Sequence, residues 1–262
     1  MAKGSYLQKH REKISGTAEE DTIVKLPYVQ ASEEIRKTFE EGKVILIDKP
    51  LHWTSFDVVR KIRNSLKIKK VGHAGTLDPL ATGLLILCTG KFTKKINEYM
   101  AQEKEYTGTF TLGAITATYD AESAPENFKK YNHISAEEIT NASKKFIGEI
   151  QQYPPIYSAI KKDGVALYEL ARRGVEVELK ARLITITEFE ITKIEGAIIY
   201  FRVLCGTGTY IRSLAHDMGV ALGCGAYLSA LRRTKIGEFS SKESSSIEGF
   251  LMELQKKKYK FI

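Results

Sequence analysis

Residues 72–85 read GHAGTLDPLATGLL, a stretch in which one carboxylate stands among glycines, threonines and apolar residues. Its single acidic side chain is Asp78, which directly precedes Pro79. An Asp-Pro pair by itself indicates a turn, because proline restricts its neighbour to extended backbone and aspartate bonds its own chain. The apolar run that begins at Leu84 predicts a buried strand. Asp78 therefore precedes a core strand, either as a turn residue or as a reactive group.

The segments around this loop alternate between strand and helix signals. KVILIDKP (43–50) predicts a strand that ends at proline, and TSFDVVRKIRNSLK (54–67) predicts an amphipathic helix with an N-terminal cap. Residues 182–206 read as two alternating strands joined by a turn at Glu195-Gly196. Strands outnumber helices and many are joined by hairpin-like turns. We therefore predict an α+β fold, with a mixed, largely antiparallel sheet flanked by helices.

The composition of the 262-residue chain bounds its partners. Forty Lys and Arg against 32 Asp and Glu give a formal net charge of +8, which favours a polyanionic partner such as RNA or DNA. No apolar run approaches the roughly 20 residues that a membrane span needs, so we expect no membrane association.

Cysteine and histidine usage bears on location and metal binding. Cys88, Cys205 and Cys224 are widely spaced in apolar surroundings, as expected of buried, reduced thiols in a cytoplasmic protein. The chain has no C-x-x-C or H-E-x-x-H motif, and its five histidines show no ligand spacing. We predict no metal site.

Short basic runs surround the loop and a later helix start, and a basic rim around one cleft would bind RNA. These runs are residues 60–70, 91–95, 161–162, 172–173 and 232–235. A purely RNA-binding protein would also have such a rim, but an acid in an RNA-facing cleft repels phosphate unless it has a chemical task or a cationic partner.

A glycine loop before the helix in GTGTYIRSLAHDMG offers an alternative. Gly206 and Gly208 resemble the start of a dinucleotide-binding fingerprint, but Ile211 stands where its third glycine is needed. At the same helix start, Tyr210 and Arg212 could hold a base and orient a carboxylate. The simpler interpretation is a core tyrosine and a surface arginine.

Six stretches, in order, resemble the TruB family of tRNA pseudouridine synthases, which isomerise uridine 55 in the T loop. They are DKPLHWTSFDVVRKIR, VGHAGTLDPLATGLL, KEYTGTFTLG, PPIYSAIKKDGVALYELARRGVEVE, GTGTYIRSLAHDMG and LRRTKIGEFS. They cover roughly residues 43–240 and imply a pseudouridine synthase fold.

The resemblance also implies roles for individual residues. Asp78 of TLDP matches the reactive aspartate, Arg212 the arginine that pairs with it, and Tyr106 of KEYTG the tyrosine that stacks on the base. Three further residues match substrate contacts: Tyr210, Leu231 of LRR, and His73 of GHAG, which fills the space left by the flipped nucleotide. Where the family usually has TDTxDxxG, this chain has TATYDAES, with Ala117 and Ser123 as departures.

We expect the chain to divide into three segments. Residues 1–41 form a charged N-terminal arm, 42–240 the catalytic domain, and 241–262 a short helical tail. The tail is too short for the RNA-binding PUA domain that bacterial members often carry, so we expect no complete PUA domain.

The implied function is isomerisation of uridine in the T arm of tRNA, by base flipping and without a cofactor, in a cytoplasmic monomer. Two alternatives remain at this point. One is an RNA-binding module of the same fold that lacks activity, and the other is a nucleotide-cofactor enzyme built on Gly206 and Gly208.

Overall fold

The structure, a computed structural model, describes residues 30–158, 160–162, 164–175 and 177–256. Most of the predicted N-terminal arm and the last six residues of the predicted tail lie outside the described residues. The helices are α1 (Glu33–Glu41), α2 (Ser55–Leu66), α3 (Ile96–Ala101), α4 (Ala136–Lys144), α5 (Leu167–Arg172), α6 (Ile211–Ala221) and α7 (Ile247–Lys256), with 3₁₀ turns at Gly90–Lys95 and Ser241–Glu243.

Within these residues, nine strands form one twisted sheet. The strands are β1 (Val44–Lys49), β2 (Val71–His73), β3 (Ala81–Thr89), β4 (Lys104–Leu112), β5 (Gly148–Gln152), β8 (Arg182–Glu195), β9 (Ile198–Cys205), β10 (Ala226–Ile236) and β11 (Phe239–Ser240), and a separate short hairpin holds β6 (Lys161–Lys162) and β7 (Val165–Ala166). The main path runs β1-β3-β10-β4-β9-β8-β5, and β2 and β11 pair with β3 and β10.

Only the β3–β10 pairing in this sheet is parallel, and the other pairings are antiparallel. Helices cover the sheet, so the predicted α+β class is confirmed. The predicted turn at Glu195-Gly196 joins β8 to β9 in register, with Glu195 opposite Ile198.

Separate groups of helices bury the two halves of the sheet. Helices α4 and α6 pack on β4, β8, β9 and β10. Helices α1, α2 and α7 pack on β1 and β3, where Phe39 of α1 is buried. No helix among the described residues is long and apolar enough to cross a bilayer.

Helix α2 begins with the cap that the sequence predicts. The Thr54 hydroxyl accepts a hydrogen bond from the Asp57 amide, and the Asp57 carboxylate accepts one from the Thr54 amide. This capping box satisfies two backbone donors at the helix start. At the other end Lys67 caps the helix in the left-handed conformation, with φ of 54°.

Gly83 explains why the apolar strand after Asp78 begins with ATG. It lies in β3 opposite Arg233 of β10, with φ of +101°. A Cβ atom here would overlap the backbone of Arg233, carbonyl oxygen included. Glycine thus lets the two parallel strands approach closely beside the Asp78 loop.

Gly83→Ala should therefore destabilise the protein by about 3 kcal/mol, because a strained backbone and an unavoidable clash add together. Gly196→Ala is the control, since Gly196 also has positive φ but open space around its Cα. It should cost only about 1 kcal/mol. Urea unfolding measures both, and equal losses would contradict the proposed close approach.

Candidate active site

The loop between β2 and β3 is tied to the start of α2 by backbone and side-chain hydrogen bonds. The Leu77 amide donates to Ser55 Oγ at 2.9 Å, and the His52 amide donates to the Pro79 carbonyl at 2.8 Å. The Ala81 amide donates to the Asp78 carbonyl at 3.0 Å, which closes the Asp-Pro turn. The turn interpretation of Asp78 is thus correct for its backbone, while its side chain, 38% exposed, points toward α6.

Arg212, the second residue of α6, meets the Asp78 carboxylate with two nitrogens. Its Nε lies 2.9 Å from Oδ2, and its Nη2 donates to Oδ1 at 3.3 Å. Its Nη1 donates to the carbonyls of Thr118 and Tyr157 at 3.1 and 3.0 Å. With its side chain only 8% exposed, Arg212 is not the surface arginine of the simpler interpretation.

A second carboxylate, Asp120, shares the same guanidinium. Its Oδ2 lies 3.6 Å from Arg212 Nε, and its Oδ1 accepts a hydrogen bond from the Thr118 hydroxyl at 2.6 Å. Burial raises the pKa of Asp120, although Thr118 and Arg212 oppose this shift. The family resemblance gave Asp120 no role, and only its place in the altered TATYDAES stretch pointed to it.

Tyr210 is the N-terminal cap of α6 and is fixed by Gln152 at the end of β5. The Tyr210 amide donates to Gln152 Oε1 at 2.8 Å, and Gln152 Nε2 donates to the Tyr210 carbonyl at 3.1 Å. The ring is half-buried, which raises the pKa of the phenol. The sequence signalled Tyr210 but not the amide that holds it.

Tyr106 and Leu231 lie on the central strands β4 and β10. Leu231 stands opposite both Ala81 and Gly108, so it adjoins the strand that follows Asp78. Tyr106 faces Arg233 in the antiparallel register, and burial raises the pKa of its phenol. Both side chains belong to one apolar cluster with Leu77, the residue before Asp78.

His73 ends β2, opposite Leu87. Burial lowers the pKa of its imidazole, and the charge of Arg233 adds to this shift. No hydrogen bond or ion pair of the described residues joins His73 to Asp78 or Arg212. The structure thus brings Asp78 and Arg212 into direct contact and leaves His73 at the base of the same loop.

Two buried cations lie beneath the loop, and the sequence predicted neither. Lys49 Nζ donates to the carbonyls of Pro50 and Trp53 at 2.8 and 2.6 Å, and burial lowers its pKa to about 8. Arg233, 1% exposed, donates to the carbonyls of Leu84 and Gly75 at 2.8 and 3.1 Å. Both cations hold backbone carbonyls around the loop in place through these hydrogen bonds.

The basic rim predicted around one cleft is wrong for Arg233, while Arg232 and Lys235 each pair with an acid. Arg233 is buried, and Arg232 forms a two-pronged pair with Asp48 at 3.0 and 2.7 Å. Lys235 Nζ lies 3.8 Å from Glu105. The side chains of Arg232 and Lys235 stay 40% and 53% exposed, so only Arg233 is withdrawn from the surface.

The three cysteines are free and buried, as the sequence predicts. Within the described ranges, no group of three or more His, Cys, Asp or Glu side chains is placed to hold a metal ion.

Comparison with protein families gives two adjoining matches. Residues 63–211 match the N-terminal domain of TruB family pseudouridylate synthases, and residues 212–260 match the tRNA pseudouridylate synthase B C-terminal domain. The tRNA pseudouridine synthase B of Flavobacterium johnsoniae is 54% identical over 222 residues, which is 82% of this chain and 97% of that protein. The Phocaeicola vulgatus protein of the same name is 49% identical over 218 residues, 81% of this chain and 93% of that one.

Two solved structures are also similar. A Cbf5-Nop10-Gar1 complex contains a chain that is 31% identical, with a TM-score of 0.65 over 84% of this protein. An H/ACA RNP bound to a substrate RNA containing 2′-deoxyuridine contains one that is 29% identical, with a TM-score of 0.63 over 86%. The chain spans a little over half of those two chains, 57% and 56% of their lengths.

The sheet with its carboxylate loop at the β3 start has the fold of the pseudouridine synthases. Since one family model alone covers residues 63–211 and the relatives reach 54% identity, the chain belongs to the TruB family of pseudouridylate synthases.

The helix that carries Arg212 also holds a buried acid, Asp217, and this gives a testable pH dependence. Burial raises the pKa of Asp217 from 3.8 to about 6. A carboxyl group whose pKa is raised in the folded state stabilises the fold at pH values below its unfolded-state pKa. That contribution to the free energy of unfolding is lost as the pH rises through about 6. Asp217→Asn should therefore be more stable than the natural protein at neutral pH, by about 1–2 kcal/mol after allowance for solvent screening.

This advantage should vanish near pH 4, which urea unfolding across a pH series would show. Asp57→Asn is the control of opposite sign, because the hydrogen bond from Thr54 lowers the pKa of Asp57. That variant should lose about 1 kcal/mol at neutral pH, as is typical of a lost cap. A gain for Asp217→Asn that does not change with pH would contradict a role for its charge.

Proposed function

We propose that the protein isomerises uridine to pseudouridine at position 55 in the T loop of tRNA, with Asp78 as its reactive group. The observation that carries this proposal is the contact between the Asp78 carboxylate and two nitrogens of Arg212, in a chain of the TruB family. The names of its relatives, tRNA pseudouridine synthase B, support tRNA as the substrate.

The reaction breaks the bond between C1′ of the ribose and N1 of uracil and joins C1′ to C5. C5 loses a proton and N1 gains one, so the reaction balances without an electron carrier or a group donor. A carboxylate suits this chemistry because it can engage the nucleotide while the base detaches and then leave. Arg212 orients Asp78, because its guanidinium contacts both carboxylate oxygens.

The other predicted residues surround the flipped nucleotide in this proposal. Tyr106 stacks on the base, and burial raises the pKa of its phenol above the ordinary value. Tyr210 contacts the substrate from the start of α6, and Leu231 lines the pocket. His73 fills the space that the nucleotide leaves, which offsets part of the few kcal/mol that base flipping costs.

The proposal extends to the setting in which the protein works. It acts in the cytoplasm as a monomer, without a metal or an organic cofactor, and engages the T arm of tRNA. Sedimentation of the protein with and without tRNA tests the monomeric state, because a particle containing two copies of the protein would contradict it.

Asp78→Asn should lower turnover at least a thousandfold, while the Kd for tRNA stays within about tenfold, or 1.4 kcal/mol. The reason is that the amide cannot act as the carboxylate does, whereas phosphate contacts are unchanged. Release of tritium from C5 of uridine measures turnover. Asp48→Asn is the matched control, because Asp48 also pairs with an arginine, Arg232, outside the site. Equal turnover of the two variants would show that Asp78 is not the reactive group, and a wild type that binds tRNA but forms no pseudouridine would favour the inactive RNA-binding module.

Arg212→Lys should lower the single-turnover rate by about a hundredfold or more. A lysine keeps the charge, but one ammonium cannot hold both carboxylate oxygens and the two backbone carbonyls that the guanidinium spans. Arg232→Lys makes the same change in the Asp48 pair and should leave the rate within twofold. Circular dichroism confirms that both variants are folded, and a near-natural rate for folded Arg212→Lys would contradict the pairing role.

A further inference from the structure

Two of the basic runs meet in a groove at the opposite end of β3 from Asp78. Its walls are α1, the turn between α2 and β2, and the 3₁₀ turn after β3, and they enclose a cavity of about 610 Å³. The cations that line this basic groove are Arg36, Lys67, Lys69, Lys70, Lys91 and Lys94.

The charge of the basic groove is largely uncompensated. Among the described residues, Glu40 is the one acid that lines it, and its carboxylate lies 3.9 Å from Arg36 Nε. That Nε is buried and has no hydrogen-bond acceptor among the described residues. None of the five lysines forms an ion pair with a described residue. Cations this close repel one another unless an anion lies between them.

The walls of the basic groove are fixed by close backbone contacts. A Cβ on Gly90 would overlap the carbonyl oxygen of Glu40, so α1 packs directly on the 3₁₀ turn. The Thr89 hydroxyl donates to the Phe39 carbonyl at 2.8 Å, and the Lys43 amide donates to Thr89 Oγ1 at 3.0 Å. The backbone segments that carry the cations at α1 and at the 3₁₀ turn are therefore held against each other.

We propose that the basic groove binds the sugar-phosphate backbone of the substrate RNA, outside the arm that carries the target uridine. This rests on the proposed function. Six cations on facing walls match phosphates along a strand, which bind proteins chiefly through such charges. The described residues that line the groove include no aromatic side chain, so they offer no stacking platform for the base of a free nucleotide.

The position of the basic groove indicates which part of the RNA reaches it. Lys70 directly precedes β2, and β2 ends at His73, so the groove and the active-site loop share one strand. The nine residues of β3 separate Thr89 at the groove from Ala81 beside Asp78, or about 27 Å at the usual rise. An A-form RNA duplex rises about 2.8 Å per base pair and so covers that distance in roughly ten base pairs, which is longer than a short stem-loop.

The test compares two RNAs and two double variants of the full chain. Lys69→Gln with Lys91→Gln removes one cation from each of two walls. Lys144→Gln with Lys145→Gln is the matched control, since both are exposed at the end of α4, which packs on the β8 side of the sheet. The RNAs are a complete tRNA transcript and the T-arm stem-loop cut from it, with Kd measured over a salt series and the single-turnover rate measured on each.

The groove variant should bind complete tRNA about tenfold more weakly than the control variant at 0.1 M salt. The slope of log Kd against log salt should fall by about 1.4–1.8, the value for two lost phosphate contacts. Its Kd for the stem-loop and its rate on the stem-loop should match the control within twofold.

Equal affinity of the two variants for tRNA would overturn the proposal, and would be the result if the groove served an acidic protein instead. Equal losses of affinity for tRNA and for the stem-loop would also overturn it, because they would indicate only that the positive charge attracts any RNA. Failure of the proposed function is seen separately, as a natural protein that forms no pseudouridine on either RNA.

Discussion

The guanidinium of Arg212 holds together three segments that are far apart in the chain. It pairs with Asp78 before β3, lies 3.6 Å from Asp120, and donates to the carbonyls of Thr118 and Tyr157. A buried arginine is tolerated only where its donors are satisfied and its charge is matched. The loops around the site are therefore coupled, because each of them supplies a carboxylate or a carbonyl that offsets the cost of burying this cation.

Two further cations, Lys49 and Arg233, lie beneath the loop that carries Asp78. Lys49 and Arg233 are both fully buried and donate chiefly to backbone carbonyls rather than to carboxylates. Their charge is felt at the site, because Arg233 contributes to the lowered pKa of His73 and Asp78 opposes the lowered pKa of Lys49. Two buried positive charges therefore lie beneath a cleft that holds two carboxylates, Asp78 and Asp120.

Local signals in the sequence predicted what depends on local contacts. The cap of α2, the turn at Glu195-Gly196 and the strand after the Asp78 loop follow from residue type and spacing. Asp78 and Arg212 were connected only through the family resemblance, since they are 134 positions apart. Burial of Lys49 and Arg233 was not predictable, because the carbonyls that satisfy them come from separate loops and from β3, whose placement is set by the whole fold.

The basic runs show why charge in a sequence does not by itself indicate a binding surface. Arg232 pairs with Asp48 and Arg233 is buried, whereas Lys91 and Lys94 line a groove in which Glu40 is the one acid of the described residues. A cation whose charge is matched inside the protein orients other groups, while an unmatched cation at the surface is available to a polyanion. The cations of the predicted rim therefore fall into two groups with different roles. Paired and buried cations shape the site for chemistry, and unpaired ones, an estimated 27 Å along β3, are left for the backbone of the RNA.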